Sequence, residues 1–191
     1  MASRGFSYLS DGGAGLTRLK RMIVDAMHDL DDAERWPYLA ASVSGAAPLT
    51  ISDLDGVERV TQNQETLQAS SRDVLLELYG DLTVAGTPAY YYLASPTVVS
   101  VYPASTASIN VTYWKVGPDL SSGSDVPLMP DRFRSAIVER ACAYAYRDND
   151  DREMSAVCMA ESDRIVQRMR EWYALLPGES RQAIYGYSGD W

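Results

Sequence analysis

Between Leu16 and Leu30 the apolar positions Leu16, Leu19, Ile23, Met27 and Leu30 recur at intervals of three and four, with Arg18, Lys20, Arg21 and Asp25 on the other face. That period predicts an amphipathic helix over about 16–31. Its end falls at Asp31-Asp32. Two acids there oppose the helix macrodipole, so the terminus is expected to fray or to turn at once into the segment ERWPYL.

From about 37 to 118 the pattern changes to short apolar stretches, β-branched residues and polar turns. The clearest strand is 107–116, where Ala107, Ile109, Val111 and Tyr113 alternate with Ser108, Asn110, Thr112 and Trp114. A period of two marks a half-buried strand. Val98 to Tyr102 precedes it across Pro103-Ala104-Ser105-Thr106, which reads as a hairpin. Ala89 to Leu93, with Tyr90, Tyr91 and Tyr92, supplies a third strand. One short helix is expected inside this region, at Arg72 to Tyr79: Val74, Leu75 and Leu78 have helical spacing, and Gly80 follows as a stop.

Helical spacing returns after the loop SSGSD. Pro127 and Pro130 push Val126 and Met129 into extended conformations, so a helix can start only at Pro130 or Asp131, with Asp131 as its cap or in its first turn. Phe133, Ile137, Ala141 and Ala145 then make one stripe, and Ala136, Ala141, Ala143 and Ala145 leave room for a second helix to come close. A connection at 147–151 leads into that second helix, with Met154, Cys158, Ile165, Met169 and Trp172 on its apolar side and Pro177-Gly178 as its stop. Two long helices, about 131–147 and 151–175, joined by so few residues must run antiparallel.

The fold expected is therefore α+β, mainly a helical bundle made of the N-terminal helix and two long antiparallel C-terminal helices. An antiparallel β-rich subdomain, about 37–118, is inserted into it. Residues 1–15 read as a flexible glycine-rich arm, 16–176 as a single domain and 177–191 as an extended C-terminal tail. Tyr185, Tyr187 and Trp191 sit in a polar, glycine-rich stretch that cannot build a core of its own, which leaves them either docked on a partner or folded back on their own domain.

Composition narrows the function. The 191 residues are 46% hydrophobic, enough for one sizeable domain, and carry a formal net charge of −9 from 26 acids and 17 bases. Only two lysines are present, Lys20 and Lys115. A grip on nucleic acid needs clustered cations, so this balance argues against one. No apolar run approaches the roughly 18–20 residues of a membrane helix, and the opening MASRGFSYLSDGGAG lacks the apolar core of a signal peptide. Synthesis and action in the cytoplasm are expected, with Cys142 and Cys158 as buried thiols.

Catalytic residue types are sparse. His28 is the only histidine, and with no second ligand nearby it reads as a packing or surface residue. Asp11-Gly12-Gly13-Ala14-Gly15 lacks the Lys-Ser/Thr of a phosphate loop. Asp148, Asp150 and Glu153 resemble the start of a calcium loop, yet Glu153 and Met159 stand where its glycine and its bidentate glutamate belong. Asp53 and Asp55 are the one pair that could serve a metal-dependent hydrolytic site, which makes a small hydrolase the alternative from another functional class. Pro127 and Pro130 also spell PxxP, but a rigid start for a helix accounts for them without a partner. The tyrosines point elsewhere: 13 of them against two phenylalanines suit surfaces half buried and half wet, as at subunit contacts.

GTPAYYY (86–92), VSVYP (99–103), TYWKVGPDL (112–120), VPLMP with Arg134, Ile137 and Val138, and then Ala141 to Tyr146 together resemble the tailed-phage head-to-tail adaptor proteins over about residues 16–175. That family includes portal-bound connector rings and the related tail tubular protein A. The resemblance implies a non-enzymatic virion protein, without cofactors or metal, assembled in the host cytoplasm into a homo-oligomeric ring under the portal at the head–tail interface. It implies the portal protein and downstream stopper or tail proteins as partners, and genomic DNA passing through the lumen without specific binding or any membrane. A stopper or tail-terminator position is the structural alternative. On this reading Tyr185, Tyr187 and Trp191 bind the portal, and Tyr90, Tyr91, Tyr92 and Trp114 lie at the subunit interface.

Overall fold

The computed structural model describes residues 13–122 and 124–176. The arm before Gly13 and the tail from 177, with Tyr185, Tyr187 and Trp191, lie outside the described residues. The architecture is α+β: four α-helices and two four-stranded sheets among the described residues. The described residues form two compact units, one of residues 13–38 with 117–122 and 124–176, the other Leu39–Val116.

In the first unit, α1 (Ala14–Asp31) buries Met22, Ala26, Met27 and Leu30. The stripe expected from Leu16 through Ile23 is corrected: Leu16 is 51% exposed, and Leu19 and Ile23 are only half-buried. α1 packs against α3 (Ser135–Asp148) and its fully buried residues begin only at Met22, so Leu16 in the opening turns keeps an open side. Nor does the end of α1 fray. Trp36, fully buried, donates its indole N–H to the Leu30 carbonyl at 2.7 Å, filling an acceptor that the helix terminus leaves free.

The proline lead-in does not pass straight into an α-helix. Asp131–Phe133 form a 3₁₀ turn, and α3 begins only at Ser135. Arg134 explains how the lead-in is held: its guanidinium donates to the Met129 carbonyl at 3.0 Å and the Pro127 carbonyl at 2.9 Å. Phe133, Ile137, Ala141 and Ala145 are all buried. The next helix, α4 (Arg152–Leu175), starts on Asp151, whose carboxylate accepts the Met154 N–H at 3.0 Å. Ser155 Oγ donates to the Ala143 carbonyl and Ser162 Oγ to the Ala136 carbonyl, so α3 and α4 run antiparallel. The contact is close because Ala136, Ala143 and Ser162 are small and fully covered. Met154, expected on the apolar side, is exposed in the first turn of α4; Cys158, Ile165 and Met169 are buried, and Tyr173 joins them.

The second unit is β-rich. Strands β1 (Ala40–Ala46), β8 (Ser108–Lys115), β3 (Leu54–Gln62) and β4 (Glu65–Thr66) form one sheet, in the order β1-β8-β3-β4. The other runs β2 (Leu49–Thr50), β7 (Val98–Tyr102), β6 (Tyr90–Ser95), β5 (Gln68–Ala69). All pairings are antiparallel except β5 with β6, so the second sheet is mixed. The alternation along β8 is real: Ile109, Val111 and Tyr113 are buried, and Val111 faces Val43 and Val60 in register. These residues join Val99 and Val101 of β7 in one core shared by both sheets.

The expected hairpin between Val98–Tyr102 and 107–116 is corrected, since β7 and β8 belong to different sheets. The connecting segment cannot turn back on itself because Ala104 is already committed: its N–H donates to the Val84 carbonyl, and its carbonyl accepts from Gly86. β7 pairs instead with β6 across Pro96-Thr97. The short helix α2 (Arg72–Tyr79) lies where the spacing placed it, with Ser71 Oγ accepting the Val74 N–H at 3.2 Å and Gly80 closing the end at φ +72°.

Candidate functional site

Several titratable residues have structural commitments. Asp53 Oδ1 accepts the Tyr113 hydroxyl at 3.1 Å, and its backbone carbonyl accepts the Val116 N–H at 2.8 Å, which ties the end of β8 to the turn before β3. Burial, with Asp53 adding to it, pushes the Tyr113 hydroxyl up to about 12. Asp55 lies exposed on β3. Neither belongs to a cluster of three or more His, Cys, Asp or Glu able to hold a metal, and no such cluster occurs among the described residues. Cys158 is a buried thiol as expected, Cys142 is only half-buried, and no disulfide joins them.

His28 is a surface residue of α1. Its Nε2 lies 2.9 Å from Asp119 Oδ1, close enough for an ion pair when the imidazole is protonated but off-line for a hydrogen bond. It borders a cleft of about 560 Å³ between α1 and α3. The cleft's charges are largely matched: Arg18 pairs with Asp148 at 2.7 Å, the Tyr144 hydroxyl donates to Asp29, and the Arg147 guanidinium lies 5.0 Å from the centre of the Tyr144 ring. Burial and the Asp29 hydrogen bond push Tyr144 up to about 12. With Arg18 paired and Arg147 stacked, the cleft reads as a helix–helix seam.

The aromatic residues divide by face. On β6, Tyr91 packs against the shared core, while Tyr90 and Tyr92 point the opposite way. Tyr79 of α2 lies over that opposite face, its ring centre 6.4 Å from Tyr90 and 4.7 Å from Tyr102. Tyr90, Tyr91, Tyr92 and, on β8, Trp114 are all half-buried. The described residues therefore place Tyr90 beside α2, with Tyr92 on the same face of β6, keep Tyr91 inward, and put Trp114 on the other sheet.

Two features were not legible in the sequence. In α2 only Leu75 is fully buried; Val74 and Leu78, one turn apart, are 46% and 67% exposed. Their shared helical spacing with Leu75 gave no sign that they face outward, although the neighbouring Asp73 and Glu77 did. Asp31 is the second. The carboxylate is buried at the end of α1, accepts the Tyr38 hydroxyl at 2.7 Å, and lies so near Gly117 that no side chain fits there.

A family model described as SU10 adaptor protein matches residues 6–183. No curated protein matches the chain.

Proposed function

The chain belongs to the SU10 adaptor protein family, a phage adaptor family that is structural and in general non-enzymatic, and we propose on that premise that it forms a ring beneath the portal. The ring continues the DNA channel and gives the tail its docking platform. The observation that carries this reading is the extent of the family match, which runs through both compact units rather than through one.

In this proposal α1, α3 and α4 are the adaptor's helical bundle and the β-rich unit is its insertion. Tyr90, Tyr91, Tyr92 and Trp114 contribute to subunit contacts, a role that suits half-buried aromatic side chains. Tyr185, Tyr187 and Trp191 contact the portal. The net charge of −9 suits a conduit, because an anionic lumen lets DNA slide rather than stick. No described helix is long and apolar enough to cross a membrane. The protein's place is the head–tail interface of the virion, reached after assembly in the host cytoplasm.

The test is co-sedimentation with purified portal particles. The full chain is expected to travel with them, and a chain lacking residues 178–191 to stay behind while keeping the thermal midpoint of the full protein. Attachment unchanged by the deletion would remove the tail from the reading, and no attachment of the full chain would remove the portal.

A further inference from the structure

Among the exposed apolar residues, those on α2 and α1 lie beside charges of opposite sign. On α2, Val74 and Leu78 form an open apolar line flanked by Asp73 and Glu77, with Arg72 the one cation of the helix. On α1, the exposed Leu16 is followed by Arg18, Lys20 and Arg21, with no acid between Ala14 and Val24. Arg18 is engaged by Asp148. Lys20 has no ion-pair partner among the described residues, and Arg21 meets only Asp25, at 3.8 Å with both side chains exposed, a pair worth little in water.

Resting on the reading of a self-associating adaptor, we propose that the opening turns of α1 on one copy dock onto α2 of the next copy. Charge decides both the occupant and the symmetry. Either patch facing itself across a two-fold axis sets like charges together, acids against acids or cations against cations, which costs rather than stabilises. Only the heterologous arrangement sets Lys20 and Arg21 against Asp73 and Glu77 while Leu16 covers the line of Val74 and Leu78. Heterologous contacts generate rings when the rotation closes. Tyr90 fits the same surface, since Tyr79 of α2 lies over it.

The experiment measures particle mass against concentration by sedimentation velocity, for the chain alone and with purified portal particles. The variants are Lys20→Glu with Arg21→Glu, Asp73→Lys with Glu77→Lys, and all four together. Every one of these residues is exposed, and circular dichroism confirms that each variant is folded. Each pair of reversals is expected to weaken self-association about tenfold or more, and the fourfold variant to recover to within about threefold of the parent, as opposite charges meeting across an interface require. If the parent assembles and the reversals change nothing, the contact lies elsewhere and this proposal falls while the adaptor reading stands. Reversals that weaken assembly without mutual rescue overturn it as well, because the two sets of charges then do not meet. A parent that stays monomeric under every condition overturns the contact and the ring together.

Discussion

Tyr38 donates its hydroxyl to Asp31 Oδ1 at 2.7 Å, with both side chains buried. Asp31 is the last residue of α1, where a negative charge opposes the helix dipole, and Tyr38 is the last residue of the first unit before the chain enters the second. The returning segment meets the same carboxylate: Gly117 passes within 3.2 Å of Asp31 Cγ, measured from where a side chain would begin. One acid thus bonds the departing chain and is closely approached by the returning one at the end of α1. Burial raises the Asp31 pKa above the ordinary carboxylate value, with Asp32 adding to it and the Tyr38 hydrogen bond and His28 opposing it. Burial likewise raises that of Tyr38.

The pH dependence follows from the direction of that shift. A carboxyl whose folded pKa is raised holds its proton more tightly in the native state, so its stabilising contribution is complete below the unfolded pKa and is lost as pH rises through the folded one. Asp31→Asn keeps an oxygen to accept the Tyr38 hydroxyl and carries no charge at any pH. Its thermal midpoint is expected to gain on the parent as pH rises from about 4 to about 7. A difference in midpoint that does not change with pH would show that the fold does not raise the Asp31 pKa.

Gly117→Ala tests the close approach. A methyl there overlaps Asp31 Oδ2, and the carboxylate cannot swing away without losing Tyr38. The expected cost is about 1–3 kcal/mol of unfolding free energy by urea titration. In an Asp31→Ala background most of that cost should vanish, because the clashing atom is gone. Equal costs in both backgrounds would place the strain elsewhere.

The α3–α4 seam depends on small residues. Ala136→Leu drives three extra heavy atoms against Ser162, which is fully buried and bonded to the Ala136 carbonyl at 3.0 Å. A loss of roughly 1–3 kcal/mol is expected, against a change within about 0.5 kcal/mol for the exposed control Ala160→Leu. Denaturant midpoints of the two variants check this.

What was legible in the chain was what is local. α2 carries its own cap at Ser71 and its own stop at Gly80, β8 alternates residue by residue, and the alanines of α3 announce a close helix. What was hidden depends on distant partners. Whether Val98–Tyr102 pairs with the strand after it or the strand before it is decided by Ala104 binding Val84 and Gly86, and a turn-like PAST segment carries no sign of that. The burial of Asp31 requires Tyr38 and Gly117, so two acids at a helix end read as a weak terminus rather than an anchor. Of the contact surface proposed above, the tyrosine run on β6 could be named from the sequence; the open faces of α1 and α2 could not, because apolar spacing predicts a stripe without telling what covers it.

The proline lead-in offers a test of assembly. Arg134 holds the carbonyls of Pro127 and Met129, so the segment is braced by a side chain as well as by its rings. Pro127→Ala with Pro130→Ala is expected to broaden the size distribution of assembled rings, since ring closure multiplies an angular error by the number of copies. Adding Arg134→Ala should broaden it further. Particle diameters from electron micrographs measure both, and rings of normal size in the triple variant would deny the segment any part in setting subunit angle.

The central claim, that this chain is a structural ring at the portal, is tested most directly by electron microscopy of purified portal particles with and without the protein. The account predicts an added ring of density stacked on one end of the portal, coaxial with its channel. Portal particles that look the same in both preparations, with the protein left as separate single subunits, would contradict it.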